Sequence, residues 1–187
     1  MGGVAIADGL LEAALELAAR GVAVFPVGPD KSPRTPHGFK DATTDEETLR
    51  GWRWDDVLIA AAVAPGTVVV DIDPRNGGNE TIALLEENGN HLPATRTVRT
   101  RSGGVHKIYT VPEDVELRGI LGPGVDIKRA GKGYVVVPPS EGYYQLTPQD
   151  EEPAPAPEWL IEELRMAVAS GEASAPKFFR FLGGTVY

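Results

Sequence analysis

The stretch Val68-Val-Val-Asp-Ile-Asp-Pro74 decides how this chain folds. With Thr67 ahead of it, it is a β-branched apolar run of strand length, uniform enough to read as a strand buried on both faces. It ends in two carboxylates one residue apart, and alternation places Asp71 and Asp73 on one face with Ile72 on the other. Two ionised carboxylates side by side repel each other, and a bridging divalent cation is the natural compensation. A plainer reading is also open: Asp73 caps the turn at Pro74 while Asp71 sits at an exposed strand end.

Upstream, Val57 to Val63 reads as a second strand, separated from the first by Pro65-Gly66. Before it, Thr44 and Glu47 fit a capping box for a helix from Asp45 to about Arg53, with Trp52 and Trp54 packing near its end. Residues 8 to 20 carry apolar side chains at helical spacing, with Asp8 as N-cap and Gly21 just past the end. Val22 to Val27 is a further strand, and it enters a Pro-, Gly- and cation-rich loop from Gly28 to Ala42 that is long enough to be functional. Downstream, Asn79 to Glu87 reads as a short helix ended by Gly89. From Thr95 the pattern changes to short alternating strands at 95–101, 105–111, 125–128, 134–137 and 143–146. The expected fold class is α+β: an N-terminal α/β unit packed on a mostly antiparallel sheet, with a cleft between two lobes. Residues 1–149 form the expected core, 150–157 an acidic Pro-rich linker, and 158–187 a helix to about Ser170 and a tail leading onward.

Composition narrows the chemistry. The 187 residues include no cysteine, which excludes disulfides, thiolate zinc sites, Fe–S clusters and cysteine nucleophiles. The net charge of -9 argues against a wholly basic coat for nucleic acid. Yet Arg96 to Lys132 holds eight basic residues against four acidic ones, so a positive cleft on an acidic body is feasible. The longest apolar stretch is interrupted by Pro65-Gly66, and Asp8, Glu12 and Glu16 occupy the region where a signal peptide needs positive charge. The expectation is a soluble cytoplasmic protein without a membrane partner.

Two further segments carry chemistry. In Arg101-Ser-Gly-Gly-Val-His106, Gly103 and Gly104 let the backbone approach a ligand and offer N–H groups to phosphate, although such a pair also makes an ordinary hairpin turn. In Gly124-Val-Asp-Ile-Lys128, Asp126 is an acid between apolar neighbours in a strand. Either Lys128, on the same face, pairs with it, or Asp126 completes a three-carboxylate site with Asp71 and Asp73. Such a site suits Mg²⁺ or Mn²⁺. Lys31 and Arg34 in the Pro-stiffened loop form a candidate phosphate clamp.

Taken in order, these features resemble the archaeo-eukaryotic primase superfamily, in particular the primase-polymerase domain at the N-terminus of phage and plasmid replication proteins. The resemblance runs from Ala18-Ala-Arg-Gly-Val-Ala-Val-Phe-Pro26 through Lys31-Ser-Pro33, Gly38 to Asp45 and Val70-Asp-Ile-Asp-Pro74. It continues at Ser102-Gly-Gly-Val-His106, Gly124-Val-Asp126 and Gly133-Tyr-Val-Val-Val-Pro-Pro-Ser140. It implies a two-lobed fold with an RRM-like sheet and the active site in the cleft. There Asp71, Asp73 and Asp126 hold two Mg²⁺ or Mn²⁺ ions, and His106 and Ser102 meet the nucleotide phosphates. Lys31, Arg34 and Lys128 match positions that are often basic in the family. The implied activity is template-directed synthesis on single-stranded DNA from NTPs or dNTPs, with a helicase module C-terminal to this chain. Lys132 stands where relatives often have a second glycine, and no G-x-x-x-x-G-K-[ST] loop is present for unwinding. Tyr134 is a candidate sugar-selecting side chain. Two rivals remain: a D-x-D glycosyltransferase, which leaves Asp126 and His106 unexplained, and an inert single-stranded DNA or origin-binding module.

Overall fold

The computed structural model describes residues 3–148 and 150–165. Among the described residues four α-helices accompany ten strands in two sheets, an α+β arrangement that is mostly antiparallel. The smaller sheet orders β1 (Val24–Val27), β2 (Leu58–Ala62) and β8 (Tyr134–Val136). The larger orders β6 (Ile120–Gly122), β7 (Val125–Arg129), β3 (Thr67–Ile72), β5 (Val105–Thr110), β4 (Thr97–Arg99) and β9 (Tyr144–Gln145). A tenth strand, β10 (Ala154–Pro155), pairs in parallel with β5.

The lobes interleave along the chain rather than following one another. β3, from the first half, is the central strand of the larger sheet, and β8, from the second half, completes the smaller one. The apolar Val68–Val70 run explains the first crossing, because a strand with both faces buried belongs at the centre of a sheet and not at its edge. One face of the larger sheet packs Val70, Ile72, Tyr109, Val125 and Ile127 against α3 (Gly78–Glu87) and α4 (Glu158–Leu164) through Leu85, Leu160 and Leu164. Its other face turns toward the smaller sheet, where Val98, Phe25, Leu58 and Val136 form a second apolar cluster. Behind the smaller sheet lie α1 (Gly3–Ala19) and α2 (Glu46–Gly51), which bury Ala14, Leu17 and Leu49 against Val24, Ile59 and Ala61.

Several local expectations are revised. The first helix begins at Gly3, so Asp8 lies inside it and is not its N-cap. The cap of α2 is Asp45 rather than Thr44: its carboxylate accepts from the Thr48 N–H at 2.8 Å and the Thr48 hydroxyl at 2.6 Å. A charged acceptor binds the free N–H groups of a first helical turn more strongly than a hydroxyl does. Within the stretch read as a linker, β10 docks on β5 and Ala156 is buried. The helix expected to reach about Ser170 ends at Leu164, because Arg165 turns out of the helical backbone and bridges Leu117; the tail from residue 166 lies outside the described residues.

Two glycines fix the end of β3. Gly124 adopts φ +67, and a Cβ there would stand 2.3 Å from the Gly78 nitrogen. Its carbonyl accepts from the Asp73 N–H at 2.8 Å, while the Asp73 carbonyl accepts from the Gly78 N–H at 3.0 Å. At Gly104 a Cβ would meet the Ile72 carbonyl oxygen at 2.1 Å and Pro74 Cδ at 3.0 Å. Gly104→Ala is therefore expected to force β5 off β3 and lower stability by ~2 kcal/mol. That corresponds to a fall in Tm of about 6 °C, and an unchanged melting temperature would contradict it.

Candidate active site

The strand register assembles the site. Asp71 on β3 pairs directly with His106 on β5 and with Asp126 on β7, so the three side chains form a row across one face of three adjacent strands. That face looks into the cleft between the sheets. His106 Nε2 lies 3.5 Å from Asp71 Oδ1. Lys128, one alternation beyond Asp126, places Nζ 2.8 Å from Asp126 Oδ2 and 3.9 Å from Asp71 Oδ2. Asp126 is thus paired with Lys128, the plainer of its two readings, and it stands beside Asp71 in the strand register.

The charges shape one another. Burial pushes the Asp71 carboxyl up; Lys128 and Lys31 oppose that, and the negative charges of Asp126 and Asp73 add to it. Burial, followed by the fields of Lys31 and Lys128, drives His106 down to about 4, so its ring is neutral near pH 7 and its contact with Asp71 is not an ion pair. A histidine depressed in the folded state contributes stability above its unfolded value of 6.5 and loses it as pH falls toward 4. The wild type is expected to lose stability across that window, and His106→Gln to show a flatter profile there. Parallel profiles in a pH series of denaturant melts would contradict this placement of His106.

Asp73 takes the plainer of its two readings. Its carboxylate caps the 3₁₀ turn Pro74–Asn76, accepting from the Arg75 N–H at 3.0 Å, from Arg75 Nε at 3.1 Å and Nη2 at 3.0 Å, and from Asn76 Nδ2 at 2.9 Å. These hydrogen bonds, those of the Arg75 side chain foremost, hold the Asp73 carboxyl below the usual carboxylate range. Among the described residues no three His, Asp or Glu side chains gather closely enough to hold a metal ion. The space between Asp71 and Asp126 nevertheless takes positive charge, because the Lys128 ammonium already reaches both carboxylates. That donor set, two carboxylates from adjacent strands, suits Mg²⁺ or Mn²⁺.

The remaining expected residues divide. Ser102, Gly103 and Gly104 form a hairpin turn in which the Gly103 N–H donates to the Thr100 carbonyl at 3.0 Å and Ser102 Oγ meets Thr100 Oγ1 at 2.9 Å. Lys31, at φ +66, lies close enough for its charge to act on both Asp71 and His106. Its carbonyl accepts from the Tyr134 hydroxyl at 2.8 Å, so Tyr134 braces this loop, with its ring stacked on Phe39. Arg34 instead packs over Gly28 beside Asp30, its Nη2 4.0 Å from Asp30 Oδ1.

Residues 14–159 match the model of the Prim-Pol family, the N-terminal domain of bifunctional DNA primase/polymerases. The chain belongs to the Prim-Pol family. No curated protein gave a significant match. In this Prim-Pol domain the matched segment spans every strand of both sheets, including the Asp126–Asp71–His106 row. Two roles escaped the reading of the sequence, which took Arg101 only as one of the basic residues beside the Gly103-Gly104 loop. Arg75 engages Asp73, and Arg101 ties three loops together by donating to the Glu141 carbonyl at 3.2 Å and the Pro29 carbonyl at 3.2 Å. A cation directly after Asp-Ile-Asp-Pro was the available signal for Arg75, whereas nothing local marks Arg101 as a strap. Among the described residues no helix is long and apolar enough to cross a membrane.

Proposed function

We propose that this Prim-Pol domain carries out template-directed nucleotidyl transfer on single-stranded DNA, using NTPs or dNTPs in phage or plasmid replication. The observation that carries the reading is the Asp126–Asp71–His106 row, which sets two carboxylates and a buried neutral imidazole side by side on the cleft face. Asp71 and Asp126 would hold the divalent ions, and Asp73 would join them on releasing Arg75. When bound, such ions neutralise triphosphate charge and lower the pKa of an attacking 3′-hydroxyl. His106, held on its strand with its ring neutral, binds a phosphate oxygen as hydrogen-bond donor. Lys31 and Lys128 provide positive field on either side of the row, which draws a triphosphate into the cleft and orients it. The hairpin at Ser102–Gly104 lies at the start of β5 and sets where that histidine stands. A helicase module beyond the C-terminus would supply the grip on DNA that an acidic body lacks.

A product gel tests the reading. Single-stranded DNA with and without a primer is incubated with Mg²⁺ or Mn²⁺ and with NTPs or dNTPs separately. Metal-dependent products are expected in at least one lane, and unprimed lanes report priming. No product from folded protein that binds nucleotide would put the inert binding module ahead.

A further inference from the structure

Tyr143 carries an unexplained polar atom at the edge of this site. The register pairs Val98 with both His106 and Gln145, and Arg99 with Tyr144. Alternation therefore sets Tyr143 with Gln145 on the His106 side of the sheet. The residue is 2% exposed, and its ring centroid lies 6.3 Å from that of His106 with the planes tilted by 36°. Its hydroxyl oxygen is buried and has no hydrogen-bond partner among the described residues. Such an atom destabilises a fold, and phenylalanine would fill the same space without that penalty.

The placement is firm rather than incidental. The Tyr143 N–H donates to the Ser140 carbonyl at 3.0 Å, and the Ser140 hydroxyl, 1% exposed, accepts from the Ile59 N–H at 2.7 Å. The loop is thus pinned to the smaller sheet while its aromatic ring reaches the larger one. Its ring packs in the apolar cluster with Val98 and Val136, yet Arg75 is within electrostatic reach of the phenol, and Lys31 and Lys128 act on the adjacent His106. A phenolic O–H in such a field is suited to an anionic acceptor.

We propose that the Tyr143 hydroxyl is a nucleotide contact, donating a hydrogen bond to a triphosphate oxygen beside His106. The assignment rests on the nucleotidyl-transfer reading and adds a residue to it. The oxygen is closed to solvent, so the contact forms with a swing of the whole side chain about χ1 toward the phosphates. Tyr143→Phe removes that oxygen alone. Its affinity for a dNTP with Mn²⁺, measured by calorimetry, is expected to fall about tenfold, and its affinity for inorganic tripolyphosphate with Mn²⁺ by a similar factor. Its Tm without ligand should be unchanged or higher, and its affinity for single-stranded DNA unchanged. Equal dNTP affinity in variant and wild type overturns the contact and leaves the nucleotidyl-transfer reading standing. Loss for dNTP but not for tripolyphosphate overturns the phosphate assignment, and a matching loss of Tm and DNA affinity shows a structural tyrosine. A wild type that binds no nucleotide overturns both readings.

Discussion

Asp71→Asn is expected to abolish nucleotide incorporation while leaving the chain folded. Asp71 is the hub of the row, paired with His106 on one side and Asp126 on the other. Asparagine keeps its shape but removes the negative charge that would hold a divalent ion against the triphosphate. The loss should reach roughly a thousandfold, or about 4 kcal/mol of transition-state stabilisation. Stability should move the other way. A carboxyl that burial has pushed up favours the fold below its unfolded pKa and loses that contribution as pH rises through its folded value. At neutral pH the buried Asp71 carboxyl therefore costs stability, and the neutral amide should melt at the same temperature or higher. Primer extension and thermal melts on one preparation check both halves. Retained activity with unchanged metal dependence would remove Asp71 from the site, whereas a fall in Tm would make it structural.

His106→Ala is expected to weaken nucleotide binding by about ten- to a hundredfold, the worth of a hydrogen bond to a charged group, with little change in template affinity. His106 is buried, and its ring is flanked by Asp71 and Tyr143. Its depressed pKa means that it meets phosphate as a neutral donor, so the nucleotide affinity of the wild type should hold from pH 8 to 6. Separate titrations of nucleotide and single-stranded DNA decide the matter. Equal losses of both would point to a histidine that supports the sheet.

The site was legible in the sequence where strand parity governs it. The uniform apolar run Val68–Val70 placed β3 at the centre, and the alternation of Asp126 with Lys128 put both on one face. Parity says nothing about the residue just past a strand. Asp73 keeps an extended backbone, but Pro74 starts a turn whose N–H groups and Arg75 side chain claim its carboxylate. Nor does a local pattern name a strand's partner, so the crossing of β3 and β8 between the two sheets was invisible until the register was known. β6 and β10, three and two residues long, are too short to show a period. Tyr143 stands out only because its oxygen lacks a partner, which is a property of the fold around it.

In the proposed reading the neighbouring carboxylates of Asp71 on β3 and Asp126 on β7 form a divalent-cation centre. Manganese binding followed by electron paramagnetic resonance, with a dNTP present, tests it most directly when wild type, Asp71→Asn and Asp126→Asn are compared. Two Mn²⁺ are expected in the wild type, as a two-ion centre requires, with reduced uptake in each variant and the fold intact. Uptake that is the same in all three proteins would contradict it.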